Sequence, residues 1–160
     1  MNRADTFNGG FNARSAFASL QTAVAAGAGD NTEADGVYVN RKDDKSGIAM
    51  SAKLIISYRA TLTAAATLSI TANIQDDADG AGVGVDYGPA FTKTVVATGG
   101  AGGSTESGTI ELDFDLAAAE QYVRSQITPD LSAGATDTAT VSAVWVFFGA
   151  QKGPMSKSAI

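Results

Sequence analysis

Thr67-Leu68-Ser69-Ile70-Thr71-Ala72-Asn73-Ile74-Gln75 decides the fold class. Leu68, Ile70, Ala72 and Ile74 alternate with hydroxyl and amide residues. A period of two places the aliphatic set on one face of a pleated strand and the polar set on the other. A helix would scatter the same residues around its whole circumference. The segment is therefore a half-buried strand, and its apolar face needs other strands to cover it.

The same alternation recurs on both sides of it. Met50 to Leu62 sets Ala52, Leu54, Ile56, Tyr58, Ala60 and Leu62 on one face, and Ile55 interrupts the other, polar face. The short link from Thr63 to Ala65 predicts that this strand and the 67–75 strand are antiparallel neighbours. Val37-Tyr38-Val39, Ala90 to Thr98, Thr109 to Leu116, Gln121 to Thr128 and Thr140 to Phe148 complete the set. Pro129 is expected to end the Gln121 to Thr128 strand, since proline cannot donate to a sheet ladder. Seven or eight strands with turn-length links give an all-β antiparallel sandwich or jelly roll. Ile70, Ile74, Leu112, Phe114 and Trp145 are its expected core.

The first 35 residues lack that pattern, and the division expected is an amino-terminal arm (1–35), a β-sandwich domain (36–150) and a carboxy-terminal tail (151–160). Phe17, Leu20 and Val24 are spaced by three and four, so Ala13 to Ala26 could form a short helix. The arm could instead be extended. Phe7, Phe11 and Phe17 have no strand of their own to bury them, which makes them candidate contacts to a partner. In the last strand Val141, Ala143, Trp145 and Phe147 line one face while Val144, Val146 and Phe148 line the other. Two apolar faces point to a central strand or to a seam between copies, and Val144, Trp145, Val146 and Phe148 are the candidate seam residues.

Composition removes several functions. The 160 residues hold no Cys and no His. That excludes disulfides, thiolate nucleophiles, zinc ribbons and every Ser-His-Asp triad within the chain. A net charge of −6 argues against a nucleic-acid surface, which needs clustered Lys and Arg. No apolar run approaches the ~20 residues of a membrane-spanning helix. Asn40 to Gly47 reads as a solvated, charged connection.

Two stretches invite sharper chemistry. Asp76 to Asp86 clusters carboxylates with glycines, but its spacing matches no EF-hand, and Val85-Asp86-Tyr87-Gly88-Pro89 cannot start the helix that a phosphate-cradling loop requires. A polar turn is the simpler reading, with ion binding left open. Glu111, Asp113 and Asp115 share one strand face, whereas glycosidases usually draw their two carboxylates from different strands. No catalytic, cofactor-binding or metal-binding residue is expected, and no enzyme activity.

From Ala64 onward the chain resembles the jelly-roll cement, or decoration, proteins of tailed-phage capsids. The resembling segments are Ala65-Ala66-Thr67-Leu68-Ser69-Ile70-Thr71 with its Asp-rich turn, Tyr122-Val123-Arg124-Ser125-Gln126-Ile127-Thr128, and Thr138-Ala139-Thr140-Val141-Ser142-Ala143. The likeness spans roughly residues 48 to 150. It implies a viral structural protein on the outer capsid surface of the virion, made in the bacterial host cytoplasm. Its partners would be the major capsid protein and further copies of itself, as a homodimer or homotrimer, with no nucleic acid or membrane. The alternative from another class is a β-sandwich module that binds carbohydrate or a cell surface.

Overall fold

A computed structural model describes residues 12–43, 47–132 and 136–149. Among these residues the chain is all strand and turn. In order the strands are β1 (Arg14–Val24), β2 (Ala34–Asp35), β3 (Val39–Asn40), β4 (Lys42–Asp43), β5 (Gly47–Ile48), β6 (Ser51–Leu62), β7 (Thr67–Asp77), β8 (Val85–Thr98), β9 (Ser104–Asp115), β10 (Tyr122–Leu131) and β11 (Thr138–Phe148).

Apart from the small β4-β5 pair, they build two antiparallel sheets, one ordered β1-β11-β6-β9 and the other β2-β10-β7-β8, with β3 also pairing β10. That order is an eight-strand jelly roll, and it confirms the sandwich read from the alternation. The inner faces meet in one core. Leu54, Ile56, Val141, Trp145 and Phe147 from the first sheet face Leu68, Ile70, Ile74, Val123 and Ile127 from the second, all fully buried. Trp145 stacks on Phe147 at 5.7 Å between ring centroids and meets Phe114 edge-on at 5.9 Å. Both are favourable aromatic geometries. Leu112 is only partly buried, because β9 is an edge strand.

The link between β6 and β7 corrects the hairpin expectation. These strands lie in opposite sheets, with their apolar faces opposed across the core. One-sided strands can bury their stripes side by side or face to face, and alternation alone does not distinguish the two. The arch is set by distant groups. The Thr63 amide donates to the Asp137 carboxylate at 2.9 Å, and Ala65 and Gly99 complete it with the bonds Ala65 N–H to Gly99 O and Gly99 N–H to Ala66 O. Ala65 takes a positive φ of 59° to make the bend.

The expected helix over Ala13 to Ala26 is strand β1, paired along its length with β11. Residues 14–24 of the expected arm are thus an integral edge of the sandwich. A bulge between Phe17 and Ser19 explains the misleading spacing. An extra residue reverses the side-chain parity of a strand. Phe17, Leu20 and Val24 therefore all face outward at helix-like intervals, while Ala18, Ser19 and Ala23 turn inward.

Two further corrections are local. β10 runs through Pro129, which pairs with Ile70. The Pro129 carbonyl accepts from the Asn31 amide at 2.8 Å, so its missing N–H lies on the side away from β7 and no ladder bond to β7 is lost. The charged connection after Asn40 is not wholly solvated, since Arg41 is buried and its guanidinium donates to the carbonyls of Ala49, Ala119 and Glu120. Burial lowers the Arg41 pKa, with Tyr87, Asp76 and Glu120 opposing that shift.

The two sides of the sandwich differ. Between β1 and β10 the chain of residues 36–37 seals the gap, with Gly36 N–H bonded to Ser125 O and Val37 N–H to Ala18 O. A Cβ on Gly36 would lie 2.6 Å from the Ala18 carbonyl oxygen, so this seal requires glycine. The opposite side, between β8 and β9, has no such plug. There Tyr58 donates to Val96 O at 2.6 Å and Tyr87 to Asp115 O at 2.9 Å, tying the sheets together by single bonds.

Candidate functional site: two exposed apolar surfaces

Eight large hydrophobic residues are exposed among the described residues; four share one sheet face, and three lie on or just before strand β8. The first surface is the outer face of the β1-β11-β6-β9 sheet. Register fixes its rows. Phe17, Val144, Ile55 and Glu111 lie in one row; Leu20, Ser142, Ser57 and Thr109 in the next; Thr22, Thr140, Arg59 and Ser107 beyond that. Phe17 is 55% exposed, Leu20 63% and Val144 39%, with Val24 on the same face. Val146 and Phe148 are half-buried beside them.

The structure therefore brings together residues that the sequence assigned to two sites. Phe17 sits directly beside Val144 in the ladder. Trp145 does not belong with them. It points the other way and is fully buried, so its assignment to the seam is corrected by strand alternation itself. Ile55, Leu20 and Val24 are additions to this surface. The break at Ile55 and the Phe17, Leu20 and Val24 stripe, read as one side of a helix, were their visible signals. Phe7 and Phe11 lie outside the described residues.

Charge on this face is uneven. Lys53 bonds Glu111 at 2.8 Å and Asp113 at 3.1 Å, so two carboxylates share one ammonium. These hydrogen bonds, Glu111 first, raise the Lys53 pKa. Arg59 is exposed and makes no ion pair among the described residues.

The second surface is the open side. β8 is a 14-residue edge strand in which Ala97 alone is buried. Val83, at 89% exposed, precedes it, and Val85 and Val95 project from it toward opposite faces of the sheet, where they pair with Asp76 and Ser69. A shallow cleft of about 240 Å³ lies between β8 and β9, lined by Pro89, Ala90, Phe91, Glu111, Leu112, Asp113 and Phe114. An unpaired edge of this length offers backbone donors and acceptors to a neighbouring chain.

The carboxylates that invited catalytic or metal readings are engaged otherwise. Asp77 Oδ1 accepts from the amides of Asp79 and Gly80 at 2.8 and 2.7 Å, and Asp79 Oδ1 accepts from Ala81 at 2.9 Å. These bonds lower the Asp77 pKa, the Asp79 amide contributing most. Asp76 accepts from the Glu120 amide, and Asp86 from Gln75. No group of three metal-ligating side chains occurs among the described residues. Nearby, Arg124 bonds Gln75 Oε1 at 2.6 and 2.9 Å, pairs with Asp35 at 3.0 Å and lies over the Tyr38 ring at 4.7 Å. Its polar groups serve one another, and the cluster fastens the 35–38 segment to the sheet.

No protein-family model matches the chain, and no curated protein matches it. Among solved structures the chain is similar to a carbohydrate binding module (CBM6cm-2) from Cellvibrio mixtus lichenase 5A, in complex with cellotriose. The likeness has 13% identity and a TM-score of 0.26, over 84% of this chain and 90% of that one. No described helix is long and apolar enough to cross a membrane.

Proposed function

We propose that this protein is a capsid decoration protein of a tailed phage. It binds the outer surface of the head, as a small symmetric oligomer, and strengthens contacts between major capsid protein subunits without performing catalysis. It is made in the bacterial cytoplasm and acts on the virion.

The observation that carries this reading is the open side of the sandwich. A rigid jelly roll sealed along one side presents, along the other, a long edge strand with Val85 and Val95 exposed. Such an edge can dock on a protein surface through its backbone and side chains while the core stays unchanged. The three segments that resemble decoration proteins fall on the arch and β7, on β10 and on β11, so the resemblance follows the framework of the sandwich. Many weak contacts of this kind act together when each oligomer touches several shell subunits.

Co-sedimentation of the purified protein with undecorated heads tests the reading. Wild type is expected to pellet with heads to saturation. Val85→Lys/Val95→Lys should keep its melting temperature and lose most of that binding. Equal binding by the double variant would remove the edge from the contact, and no binding by wild type would overturn the function. The second reading, a carbohydrate- or cell-surface-binding module, would use the cleft beside Phe91, and specific retention on a glycan array would favour it.

A further inference from the structure

The outer face of the β1-β11-β6-β9 sheet is a separate surface from the open side, and its features have a symmetry of their own. The row Leu20–Ser142–Ser57–Thr109 runs across its middle. Glu111 lies one row to one side of it, and Arg59 one row to the other, on neighbouring strands. Glu111 belongs to a group with a surplus negative charge, because Lys53 is shared with Asp113. Arg59 is an exposed cation with no ion pair among the described residues.

A two-fold axis along that middle row exchanges the rows on either side of it. Packing two such faces together then sets Arg59 of one copy above the Ile55–Glu111 pair of the other, twice. Leu20, the most exposed apolar residue of the face, sits on the axis and meets its own counterpart. Phe17 and Val144 fall over Thr22 and Thr140 of the other copy, where the methyl groups of threonine complete the apolar contact. A surface whose opposite charges exchange under a two-fold rotation is complementary to itself, which an isologous dimer requires.

The size also fits. Four strands about 4.8 Å apart and 11 residues long at about 3.4 Å each make a face of roughly 700 Å² in projection. A standard stable interface buries about 800 Å² per partner. Sheets stacked face to face cross at about 30° because each is twisted, which keeps the middle rows of the two copies in contact.

We infer that a second copy of this chain covers the outer face of the β1-β11-β6-β9 sheet, in a two-fold dimer joined by Leu20 at its axis and by reciprocal Arg59–Glu111 pairs. This deepens the oligomeric part of the reading above and rests on it, while the shell contact is left to the β8 side.

The test is the mass in solution of the full chain by analytical ultracentrifugation at micromolar concentration, without heads. Wild type is expected to sediment as a dimer. Leu20→Asp, Arg59→Glu and Glu111→Arg should each raise the dimer dissociation constant at least about tenfold, with a melting curve that still shows a folded protein. Mixing Arg59→Glu with Glu111→Arg should restore the dimer, because both cross-pairs then join opposite charges again. A wild-type monomer or trimer would overturn the inference, and so would single charge reversals that leave the dimer intact or a mixture that fails to restore it. Head binding is read separately by co-sedimentation, so failure of the dimer and failure of the shell reading are distinguishable.

Discussion

Replacing Arg41 by Met should cost about 3 kcal/mol, although the residue touches no proposed partner surface. Arg41 Nε donates to Glu120 O at 2.6 Å, Nη1 to Ala49 O at 2.7 Å, and Nη2 to Ala119 O. Hydrogen bonds from a charged group contribute about 1.5–3 kcal/mol each, set against the cost of burying the guanidinium. Methionine keeps much of the side-chain length and removes the donors. Glu120 is exposed, so its carbonyl can rehydrate, whereas Ala49 and Ala119 are buried. Two buried carbonyls without donors cost about 1–3 kcal/mol each, and the relieved desolvation of the cation offsets part of that. For a chain of this size, a loss of about 3 kcal/mol lowers the melting temperature by roughly 6–12 °C. Urea unfolding of wild type, Arg41→Met, Arg41→Lys and, as an exposed neighbour, Lys42→Met gives the comparison. Lysine should fall between, since one ammonium cannot span three carbonyls in a fixed fork, and Lys42→Met should stay within about 0.5 kcal/mol. If Arg41→Met matched Lys42→Met, or stabilised the protein, desolvation would outweigh the three bonds and the reasoning would be refuted.

Other outcomes are as definite. Phe114→Ala should cost roughly 3–5 kcal/mol by leaving a cavity against Trp145, whereas exposed Asp113→Ala should change stability by less than about 0.5 kcal/mol; equal losses in urea unfolding would contradict the β9 register. Gly36→Ala should destabilise the protein and expose the amides of residues 36 and 37 to hydrogen exchange, since its Cβ would strike the Ala18 carbonyl. The amides of Asp79 and Gly80 hold the Asp77 pKa below the ordinary carboxylate range. The stability this adds is therefore present above that range and is lost as pH falls through the lowered, folded value. An NMR titration of the Asp77 carboxyl should place its midpoint below an unstructured aspartate, and a midpoint at or above it would count against the turn.

The jelly roll was legible wherever strands alternate without interruption. Leu68 to Ile74 and Val141 to Phe147 each gave the correct buried face. What escaped was decided by parity and by distance along the chain. The bulge at Ala18 put Phe17, Leu20 and Val24 on one face at helical spacing, and no local residue marks such an insertion. The placement of β6 and β7 in opposite sheets depends on Asp137, 74 residues from Thr63. Arg41 lay among Lys42, Asp43, Asp44 and Lys45, and its burial follows from carbonyls near residue 120 that sequence neighbours do not reveal. For the candidate sites, Val144, Val146 and Phe148 were found from the two apolar faces of one strand. Trp145 was grouped with them although alternation already placed it on the opposite face, with Val141 and Phe147, where it was also expected in the core and where it is buried.

The most direct measurement of the central claim is cryo-electron microscopy of undecorated tailed-phage heads incubated with this protein. The account predicts ordered jelly-roll density on the outer surface, repeated with the symmetry of the shell, with the β8 edge against the major capsid protein. Heads that stay bare at saturating protein, or density confined to the interior or the tail, would contradict it.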